Sequence, residues 1–479
     1  MTDVPDGDRF DVVVIGAGPP GENVADYAHR GGLSVALVEH ERVGGECSYW
    51  ACVPSKALLR PIEVLAAARA VPGAAEAVTG AVDVAATLAR RSWFTADGDD
   101  SGQAQWAEGA GLTLIRGHAR LVGDKRVEVT APDGTIRTIV ANQAVCVATG
   151  TTAAVPPIPG LREARPWTSR ELTSLRQVPE RVVVLGGGVV ACEGAQILRG
   201  LGAREVTMVE RGAQLLGRSE PFAGELVAHA LRSDGIDVRM GAEAVEVARP
   251  TPGGEVTVTL KDGGTITADE VVVALGRAPA TADLGLDSVG LTPGRSIPVD
   301  DHLTVDGVPG QWLYAVGDVN GRALLTHMGK YQARVAGDVM AARAAGRPLD
   351  DPRYAATSDH TAVTQVVFTD PQVAAVGLTA QQARDAGIAV KVYERDIAVA
   401  GASLHRDGYT GHALLVVDEE TQTLVGCTFA GPDVAELLHA GTVAVVGKVP
   451  LATLWHAVPS FPTISEVWLR LLEAWRSDG

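Results

Sequence analysis

Two of the chain's five cysteines, Cys47 and Cys52, stand close together in the stretch GGECSYWACVPSK. Such a pair can bind a metal, exchange electrons as a dithiol and disulfide, or pack as two inert thiols in a core. A structural zinc site normally has four ligands in paired spacings, and no second cysteine pair lies nearby. The surrounding sequence therefore has to decide between redox chemistry and inert packing.

Length and composition place the chain among ordinary globular proteins. It has 479 residues, of which 46% are hydrophobic and 21% charged, and this length predicts roughly three domains. The net charge of −17 argues against nucleic acid or an anionic membrane as the main partner. The start of the chain is acidic and polar, unlike a signal peptide, and no apolar run reaches the ~18 residues of a membrane span. We therefore expect a cytoplasmic protein, in which a close cysteine pair is more often catalytic than structural.

A dinucleotide-binding pattern precedes the cysteine pair, in RFDVVVIGAGPPGENVADYAHRGGLSVALVEHERVGG. Its β-branched run predicts a buried parallel strand. The glycines of the following G-x-G-x-x-G triplet are Gly16, Gly18 and Gly21, which allow a tight turn and the approach of a pyrophosphate to a helix N-terminus. Glu39 ends the next strand, where its carboxylate suits a pair of ribose hydroxyls. Strand, triplet, helix and acid in register predict a Rossmann unit.

The same pattern recurs in RVVVLGGGVVACEGAQILRGLGAREVTMVER. Its glycine-turn positions and the acid after its second strand are Gly186, Gly188, Ala191 and Glu210. Two dinucleotide sites in one chain indicate electron transfer between two cofactors, typically a flavin and a nicotinamide. The charge of Glu210 repels the 2′-phosphate of NADP(H) and so favours NAD(H), whereas the nearby Arg211 and Arg218 oppose that preference.

The order of these features resembles that of the pyridine nucleotide–disulfide oxidoreductases, which include dihydrolipoamide dehydrogenase, glutathione reductase and mercuric reductase. GGECSYWACVPSK resembles the redox-disulfide motif of the family. Further stretches that resemble family segments are AVCVATG, VVVALGRAPAT, LYAVGDV, LLTHMGKYQARVAG and VVFTDPQVAAVGLT. The resemblance covers nearly the whole chain and implies FAD at the first site. Cofactor contacts that it implies are Thr149, Gly150, Gly276, Arg277, Asp318 and His327.

The resemblance also implies the architecture: an α/β fold with two Rossmann-like domains, for FAD and NAD(P), and a C-terminal α+β dimerisation domain. The implied order is an FAD domain at 1–155, an NAD(P) domain at 156–282, a return to the FAD domain at 283–350 and the dimerisation domain at 351–479. The proline-rich TTAAVPPIPG and the break AARAAGRPLDDPRY agree with two of these boundaries. A two-fold homodimer is implied as well.

By the same resemblance, Cys47 is the outer thiol that exchanges with substrate and Cys52 is the inner thiol beside the flavin. A helix is predicted from about Pro54, and a helix start stabilises a thiolate. Lys56 corresponds to a lysine near the flavin and Glu193 to its ion-pair partner; the alternative is that both are solvated helix residues.

Two parts of the sequence depart from the family pattern. Tyr49 and Trp50 fill the interior of the cysteine loop, and they either pack in the core or line the access route to the disulfide. In the C-terminal stretch SFPTISEVW, Phe461 stands where the family has a catalytic histidine, although Glu466 is in place. A phenyl ring neither accepts nor donates a proton. Glu466 then either caps the following helix or acts directly, and His456 is either structural or a substitute base.

These observations predict an FAD-dependent NAD(P)H oxidoreductase whose dithiol passes electrons to a disulfide or another small acceptor. The main alternative is a quinone or dye reductase (a diaphorase) in which the cysteines are dispensable. Enzymes like dihydrolipoamide dehydrogenase or mercuric reductase are further alternatives, and a non-enzymatic flavoprotein subunit is the least favoured. The missing histidine weakens the interpretation as a dihydrolipoamide dehydrogenase. The lack of a C-terminal cysteine pair weakens the interpretation as a mercuric reductase. No metal site, nucleic-acid partner or membrane partner is predicted.

Overall fold

Strands and helices alternate over much of the chain, as two dinucleotide-binding units require. The computed structural model describes residues 8–478. The strands are β1 (Arg9–Ile15), β2 (Val35–Glu39), β3 (Thr113–Arg116), β4 (His118–Leu121), β5 (Arg126–Thr130), β6 (Ile136–Val147), β7 (Thr151–Ala153), β8 (Arg181–Leu185), β9 (Glu205–Glu210), β10 (Asp237–Met240), β11 (Ala244–Ala248), β12 (Val256–Leu260), β13 (Thr265–Ala268), β14 (Glu270–Val273), β15 (Arg277–Pro279), β16 (Leu313–Ala315), β17 (Thr364–Val367), β18 (Gln372–Gly377), β19 (Val390–Asp396), β20 (His412–Asp418) and β21 (Leu424–Gly431).

The α-helices are α1 (Pro19–Arg30), α2 (Gly45–Tyr49), α3 (Cys52–Arg69), α4 (Val84–Phe94), α5 (Ser101–Gly109), α6 (Ser169–Ser174), α7 (Val189–Gly200), α8 (Pro221–Ser233), α9 (Thr326–Ala344), α10 (Ser358–Thr361), α11 (Ala380–Asp385), α12 (Ala400–His405), α13 (Leu438–Val446), α14 (Leu451–Leu454) and α15 (Glu466–Arg476). None of the helices in the described part of the chain combines the length and apolar character that a bilayer span needs.

The first of two structural units contains the described chain up to Val53, together with Thr95–Thr152 and Arg277–His360. Its seven-stranded sheet has the order β3-β2-β1-β6-β5-β4, and β16 pairs with the end of β6. β1 runs parallel to β2 and to β6, so the run from Val12 to Ile15 is buried on both faces. Helices α1 and α9 pack against each other, and the glycine turn follows directly at the carboxyl end of β1.

The second unit contains Pro54–Phe94, Ala153–Gly276 and the chain after His360. A four-stranded parallel sheet, β10-β9-β8-β14, again leads from a buried strand into a glycine turn and a helix, here β8 and α7. A three-stranded antiparallel sheet, β11-β12-β13, follows in the chain. The last part forms a five-stranded antiparallel sheet, β17-β18-β21-β20-β19, with α13 packed on β18 and β21 and α15 on β19 and β20.

The predicted fold class is confirmed: two Rossmann-like units of the α/β type occur in one chain with a C-terminal α+β part. The boundaries of the four predicted segments stay predictions. Residues 1–7 of the first predicted segment and residue 479 of the last lie outside the described part of the chain.

Candidate active site

The glycine turn after β1 is built for close backbone approach. Gly16 has a φ of +99°, and a Cβ there would lie 2.6 Å from the carbonyl oxygen of Ala148. A Cβ at Gly21 would lie 1.9 Å from the carbonyl oxygen of Gly16, so this position also requires glycine. The space beside Gly18, the N-cap of α1, is open except for Pro20 at 4.0 Å. A pyrophosphate therefore fits over Gly18 at the N-terminus of α1.

Glu39 holds the glycine turn from the end of β2. Its Oε2 accepts a hydrogen bond from the backbone N–H of Ala17 at 2.7 Å, and its Oε1 accepts one from Glu41 at 2.7 Å. Burial alone would raise the pKa of Glu39, but hydrogen bonds from His40 and from the N–H of Ala17 lower it overall. The carboxylate therefore stays ionised, and its remaining lone pairs suit the ribose hydroxyls of a dinucleotide.

Several residues of the first unit that the family resemblance assigns to the flavin lie near the paired strands β7 and β15. Asp318 Oδ2 accepts a hydrogen bond from Thr151 Oγ1 at 2.8 Å, and burial raises the pKa of Asp318. Arg277 donates to both Thr151 Oγ1 and the Thr151 carbonyl, each at 2.6 Å. The hydroxyl of Thr149 is buried and has no hydrogen-bond partner in the described part of the chain, whereas Gly150 is in the left-handed region with a φ of +69°. The orphaned hydroxyl and the polar cluster fit a bound dinucleotide, and Thr151 is a member that sequence reasoning missed.

The cysteine pair lies at two helix starts. Cys47 is in the short helix α2, and α3 begins at Cys52. The Sγ of Cys52 lies 3.3 Å from the Oγ1 of Thr326, the first residue of α9. A hydrogen bond to Cys52 and burial together raise the pKa of Cys47 well above the ordinary range of a thiol. A helix start and a nearby hydroxyl group both favour a thiolate, and Cys52 has both.

Sequence reasoning missed Thr326, although it singled out the neighbouring His327. His327 is exposed at the second position of α9. Thr326 could have been singled out as the first residue of a long helix. A hydroxyl at that position can form a hydrogen bond to a group near the helix N-terminus.

The two aromatic residues of the loop have different environments. Tyr49 is 5% exposed and packs as a core residue, which answers the question left open by the sequence. Trp50 is half-buried, and the guanidinium of Arg42 lies 4.8 Å from the centre of its ring. Trp50 is therefore the aromatic residue of the loop that reaches the surface.

The second glycine turn, in the second unit, repeats the geometry of the first. Gly186 has a φ of +116°, and a Cβ there would lie 2.5 Å from the carbonyl oxygen of Ala274. Gly188 is the N-cap of α7, and a Cβ added to it would have no neighbouring atom within 4 Å. Ala191, one turn further along the helix, is fully buried. This open N-terminus fits a second pyrophosphate.

Glu210 ends β9 and lies against this turn. Its Oε1 accepts a hydrogen bond from the N–H of Gly212, and its carboxylate is close enough to Gly187 to exclude a side chain there. Arg211 and Arg218 are both exposed. Gly276, the remaining predicted position, has a φ of +122° and open space around it.

Lys56 and Glu193 form an ion pair, with 2.7 Å between the Nζ and the Oε2. Glu193 is only 4% exposed, and its Oε1 accepts a hydrogen bond from the N–H of Phe368 at 2.9 Å. The Nζ of Lys56 also lies 4.7 Å from the centre of the Phe368 ring. This arrangement differs from that of two solvated helix residues, because both oxygens of the carboxylate have fixed donors.

The C-terminal stretch contains a carboxylate without its expected partner. Phe461 is 74% exposed, and His456 is exposed as well. Glu466, 8% exposed, accepts a hydrogen bond on Oε1 from Arg470 at 2.6 Å. Its Oε2 is buried and has no hydrogen-bond partner in the described part of the chain. A buried carboxylate oxygen without a donor thus lies five residues after Phe461, whose phenyl ring has no proton to offer.

Glu22 is a partly buried acid that sequence reasoning did not use. It lies in the first turn of α1, and its Oε1 has no hydrogen-bond partner among the described residues. Burial and the nearby Glu39 raise its pKa to about 7, while Lys330 opposes them. A carboxyl this close to the glycine turn therefore titrates near neutral pH.

A prediction follows for the pH dependence of stability. The folded-state pKa of Glu22 is raised from 4.5 to about 7, so the folded protein binds more protons than the unfolded chain between these values. Stability is therefore lost as the pH rises from 4.5 to 7, by up to about 3 kcal/mol. Glu22→Gln should match the wild type at pH 5 and exceed its melting temperature at pH 8. A difference that does not change with pH, measured by thermal unfolding of both proteins, would contradict this.

The comparisons with known proteins agree with this geometry. Residues 10–345 match the family pattern of the pyridine nucleotide-disulphide oxidoreductases, and residues 363–471 match the dimerisation domain of the same family. The chain belongs to this family. It is therefore an oxidoreductase that binds FAD and NAD(P)H and has a disulfide redox-active centre.

The relatives are named for different activities. A dihydrolipoyl dehydrogenase from Chlorobaculum tepidum is 34% identical, over 96% of this chain and 95% of the relative. A glutathione reductase from Burkholderia cepacia is 32% identical, over 96% of this chain and 98% of the relative. A mercuric reductase from Staphylococcus aureus is 30% identical, over 96% of this chain and 81% of the relative.

Among solved structures, a Cu(II) complex of the HOCl-induced flavoprotein disulfide reductase RclA from Escherichia coli superposes with a TM-score of 0.82. The match covers 97% of this chain and 99% of that one, at 24% sequence identity. This likeness shows the fold. In the described part of the present chain, no group of three or more His, Cys, Asp or Glu residues is arranged to hold a metal ion.

Proposed function

We propose that this protein uses NAD(P)H to reduce its Cys47–Cys52 disulfide and that the resulting dithiol reduces a small acceptor. FAD, when bound, supplies the two-electron carrier between the nicotinamide and the disulfide. NAD(P)H, a proton and the disulfide yield NAD(P)⁺ and the dithiol. The dithiol then reduces an acceptor disulfide to two thiols and closes again. The observation that supports this most directly is Cys52 at the start of α3, with Thr326 at the start of α9 beside its sulfur.

The chain's own residues have separate tasks in this proposal. Cys52 is the sulfur that holds negative charge, and Cys47 attacks the acceptor. The turns at Gly16 and Gly186 hold the two dinucleotides. The family resemblance assigns to Lys56, which is held by Glu193, the role of stabilising electron-rich forms of the flavin ring system.

An anaerobic titration with NADH tests the proposal. Reduced protein should show a long-wavelength charge-transfer band between the Cys52 thiolate and the flavin, and Cys52→Ser should lack this band. Bleaching of the flavin without such a band in the wild-type protein would exclude the dithiol pathway and favour direct transfer from flavin to a quinone or dye.

A metal ion is a second candidate acceptor, and Phe461 is the observation that favours it. Reduction of a metal ion needs no base to move protons between sulfur atoms, so a phenyl group at this position does not slow that reaction. Mercuric reductases are among the relatives, and RclA has been solved as a Cu(II) complex. NADH consumption measured in parallel with lipoamide, a quinone, Hg(II) and Cu(II) would separate the classes, and turnover confined to lipoamide would exclude the metal ion.

For the nicotinamide we expect NADH to be preferred over NADPH. The carboxylate of Glu210 lies at the turn where a 2′-phosphate would be held, and like charges repel. Arg211 lies on the surface near Glu243, whose pKa it helps to lower after Lys261, so its charge is partly compensated. Steady-state kinetics should give a kcat/KM at least about tenfold higher for NADH. A preference for NADPH would contradict this assignment.

A two-fold homodimer is also expected, because the chain carries the dimerisation domain of its family. Apolar side chains that are exposed in the single chain occur in this domain, among them Val443, Val446, Val458 and Phe461. Light scattering at micromolar concentration should give about twice the chain mass of 49.7 kDa. A mass equal to one chain would contradict the dimer.

We also propose a cytoplasmic location, since NAD(P)H is available there to keep the dithiol reduced.

A further inference from the structure

We propose that Gln103 is a positioning residue for the exchanging thiol: its side-chain amide holds the helix α2 that carries Cys47, through Ser48 and Tyr49. This inference rests on the proposed role of Cys47 and Cys52 as a redox pair. It adds residues outside the cysteine loop to the machinery that sets the stability of the disulfide.

The hydrogen bonds of Gln103 reach two consecutive residues of α2. Tyr49 donates its phenolic O–H to Gln103 Oε1, and Gln103 Nε2 donates to Ser48 Oγ at 3.1 Å. Tyr49 Oη also lies 3.1 Å from the carbonyl oxygen of Val43. Burial, with the negative charges of Asp100 and Glu22, raises the pKa of Tyr49 to about 12, so the phenol keeps its proton. The phenolic donor is therefore present at neutral pH.

The amide of Gln103 is also packed against the start of α2. Gly44, the N-cap of α2, has a φ of +106°, and a Cβ there would lie 2.4 Å from both the nitrogen and the oxygen of the Gln103 amide. Gln103 thus contacts α2 at its start and at its end. With only five residues, α2 is too short to be stable by itself and depends on such tertiary contacts.

The start of α5 provides a second, independent observation that this helix positions the cysteine loop. Asp100 occupies the N-cap position of α5, where an aspartate ordinarily bonds the N–H groups of its own helix. It makes no such side-chain cap. Its Oδ2 instead accepts a hydrogen bond from the N–H of Val43 at 2.8 Å and pairs with Arg116 at 2.7 Å. Segment 42–50 is therefore tied to segment 100–103 at three points.

The consequence is chemical, because a disulfide forms readily only when one thiol is held near the other. If α2 is loosened, the effective concentration of Cys47 at Cys52 falls, and the equilibrium moves from disulfide toward dithiol. A freed Cys47 is also easier to alkylate. Each lost hydrogen bond should shift the equilibrium about two- to twelvefold.

The test compares Gln103→Leu and Tyr49→Phe holoenzymes with the matched control Gln105→Leu, whose glutamine is exposed on the same helix. Each protein is equilibrated with glutathione and its disulfide, so that enzyme disulfide and two glutathione molecules exchange with enzyme dithiol and glutathione disulfide. After reduction by NADH, the rate of Cys47 alkylation by iodoacetamide is measured by peptide mass spectrometry. FAD content and the rate of flavin reduction by NADH report on folding.

We expect Gln103→Leu to shift the equilibrium toward the dithiol by about tenfold and Tyr49→Phe by about fivefold, with faster alkylation of Cys47 in both. The double variant should shift less than the sum of the two single variants, because Tyr49 and Gln103 share a hydrogen bond. If Gln103→Leu does not fold, Tyr49→Phe, which removes a single oxygen, carries the test. A redox equilibrium and an alkylation rate equal to those of Gln105→Leu would overturn this inference and leave the proposed function standing. A wild-type protein in which NADH leaves Cys47 as unreactive as before would overturn the proposed function and this inference together.

Discussion

Cys47→Ser is expected to lose turnover with disulfide acceptors by about 10⁴-fold or more, while NADH still reduces the flavin at nearly the wild-type rate. The reason is that Cys47 makes the only bond to the acceptor sulfur, whereas hydride transfer from the nicotinamide does not involve it. The remaining Cys52 cannot form the disulfide, so its thiolate should give the charge-transfer band before any NADH is added.

An aromatic disulfide is the best acceptor for this measurement. Its thiolate has a low pKa and leaves without being protonated, so the missing histidine does not limit the wild-type rate. Cys427→Ala is a suitable control, because this thiol is buried in the C-terminal sheet and belongs to no proposed step. Unchanged disulfide turnover in Cys47→Ser would show that electrons leave from the flavin directly, as in a diaphorase.

Features of the site that depend on local spacing could be predicted from the sequence. The two glycine turns follow from short strand–turn–helix patterns, and the structure has a helix N-terminus at each. The start of α3 at Cys52, close to the prediction, follows from the helix-forming residues after it. In these cases every residue that matters lies within one short stretch, so composition and spacing carry the information.

Features that join distant parts of the chain could not be predicted in this way. Thr326 is 274 positions from Cys52, and Gln103 is 54 positions from Tyr49, so no periodic pattern links the members of either pair. The Lys56–Glu193 pair was reached only through the family resemblance. Tyr49 could not be placed because a buried core and the wall of an active site both suit aromatic side chains. What decided its position was the phenol's need for a partner in the core, which a sequence does not show.

The absence of the family histidine at position 461 coincides with a carboxylate oxygen, Oε2 of Glu466, that has no donor in the described part of the chain. A carboxylate oxygen that is buried without a donor costs free energy, and proteins rarely keep one without a reason. The family resemblance implies that, in the proposed homodimer, the C-terminal stretch faces Cys47 of the partner subunit. The wild-type protein should therefore turn over lipoamide about 10² to 10⁴ times more slowly than family members with the histidine. Lipoamide is an alkyl disulfide, so its leaving thiolate must be protonated.

Phe461→His is expected to recover about 10²-fold of lipoamide turnover, because an imidazole at this position can accept a proton from Cys47 of the partner subunit and donate to the free Oε2 of Glu466. The thiolate that leaves from an alkyl disulfide is a strong base, so the proton that the imidazole carries speeds its departure. Turnover of an aromatic disulfide should change little, and so should flavin reduction by NADH in stopped flow.

Two variants separate the imidazole from the loss of the phenyl ring. Phe461→Leu removes the ring without adding a base and should gain nothing on lipoamide. Phe461→His combined with Glu466→Gln should lose most of the gain, since the carboxylate that orients the imidazole is then neutral. If Phe461 instead lines an apolar acceptor pocket, Phe461→His and Phe461→Leu would both lose activity on the native acceptor and neither would gain on lipoamide. Wild-type turnover of lipoamide at the level of histidine-bearing relatives would show that this stretch of the chain does not limit proton transfer at all.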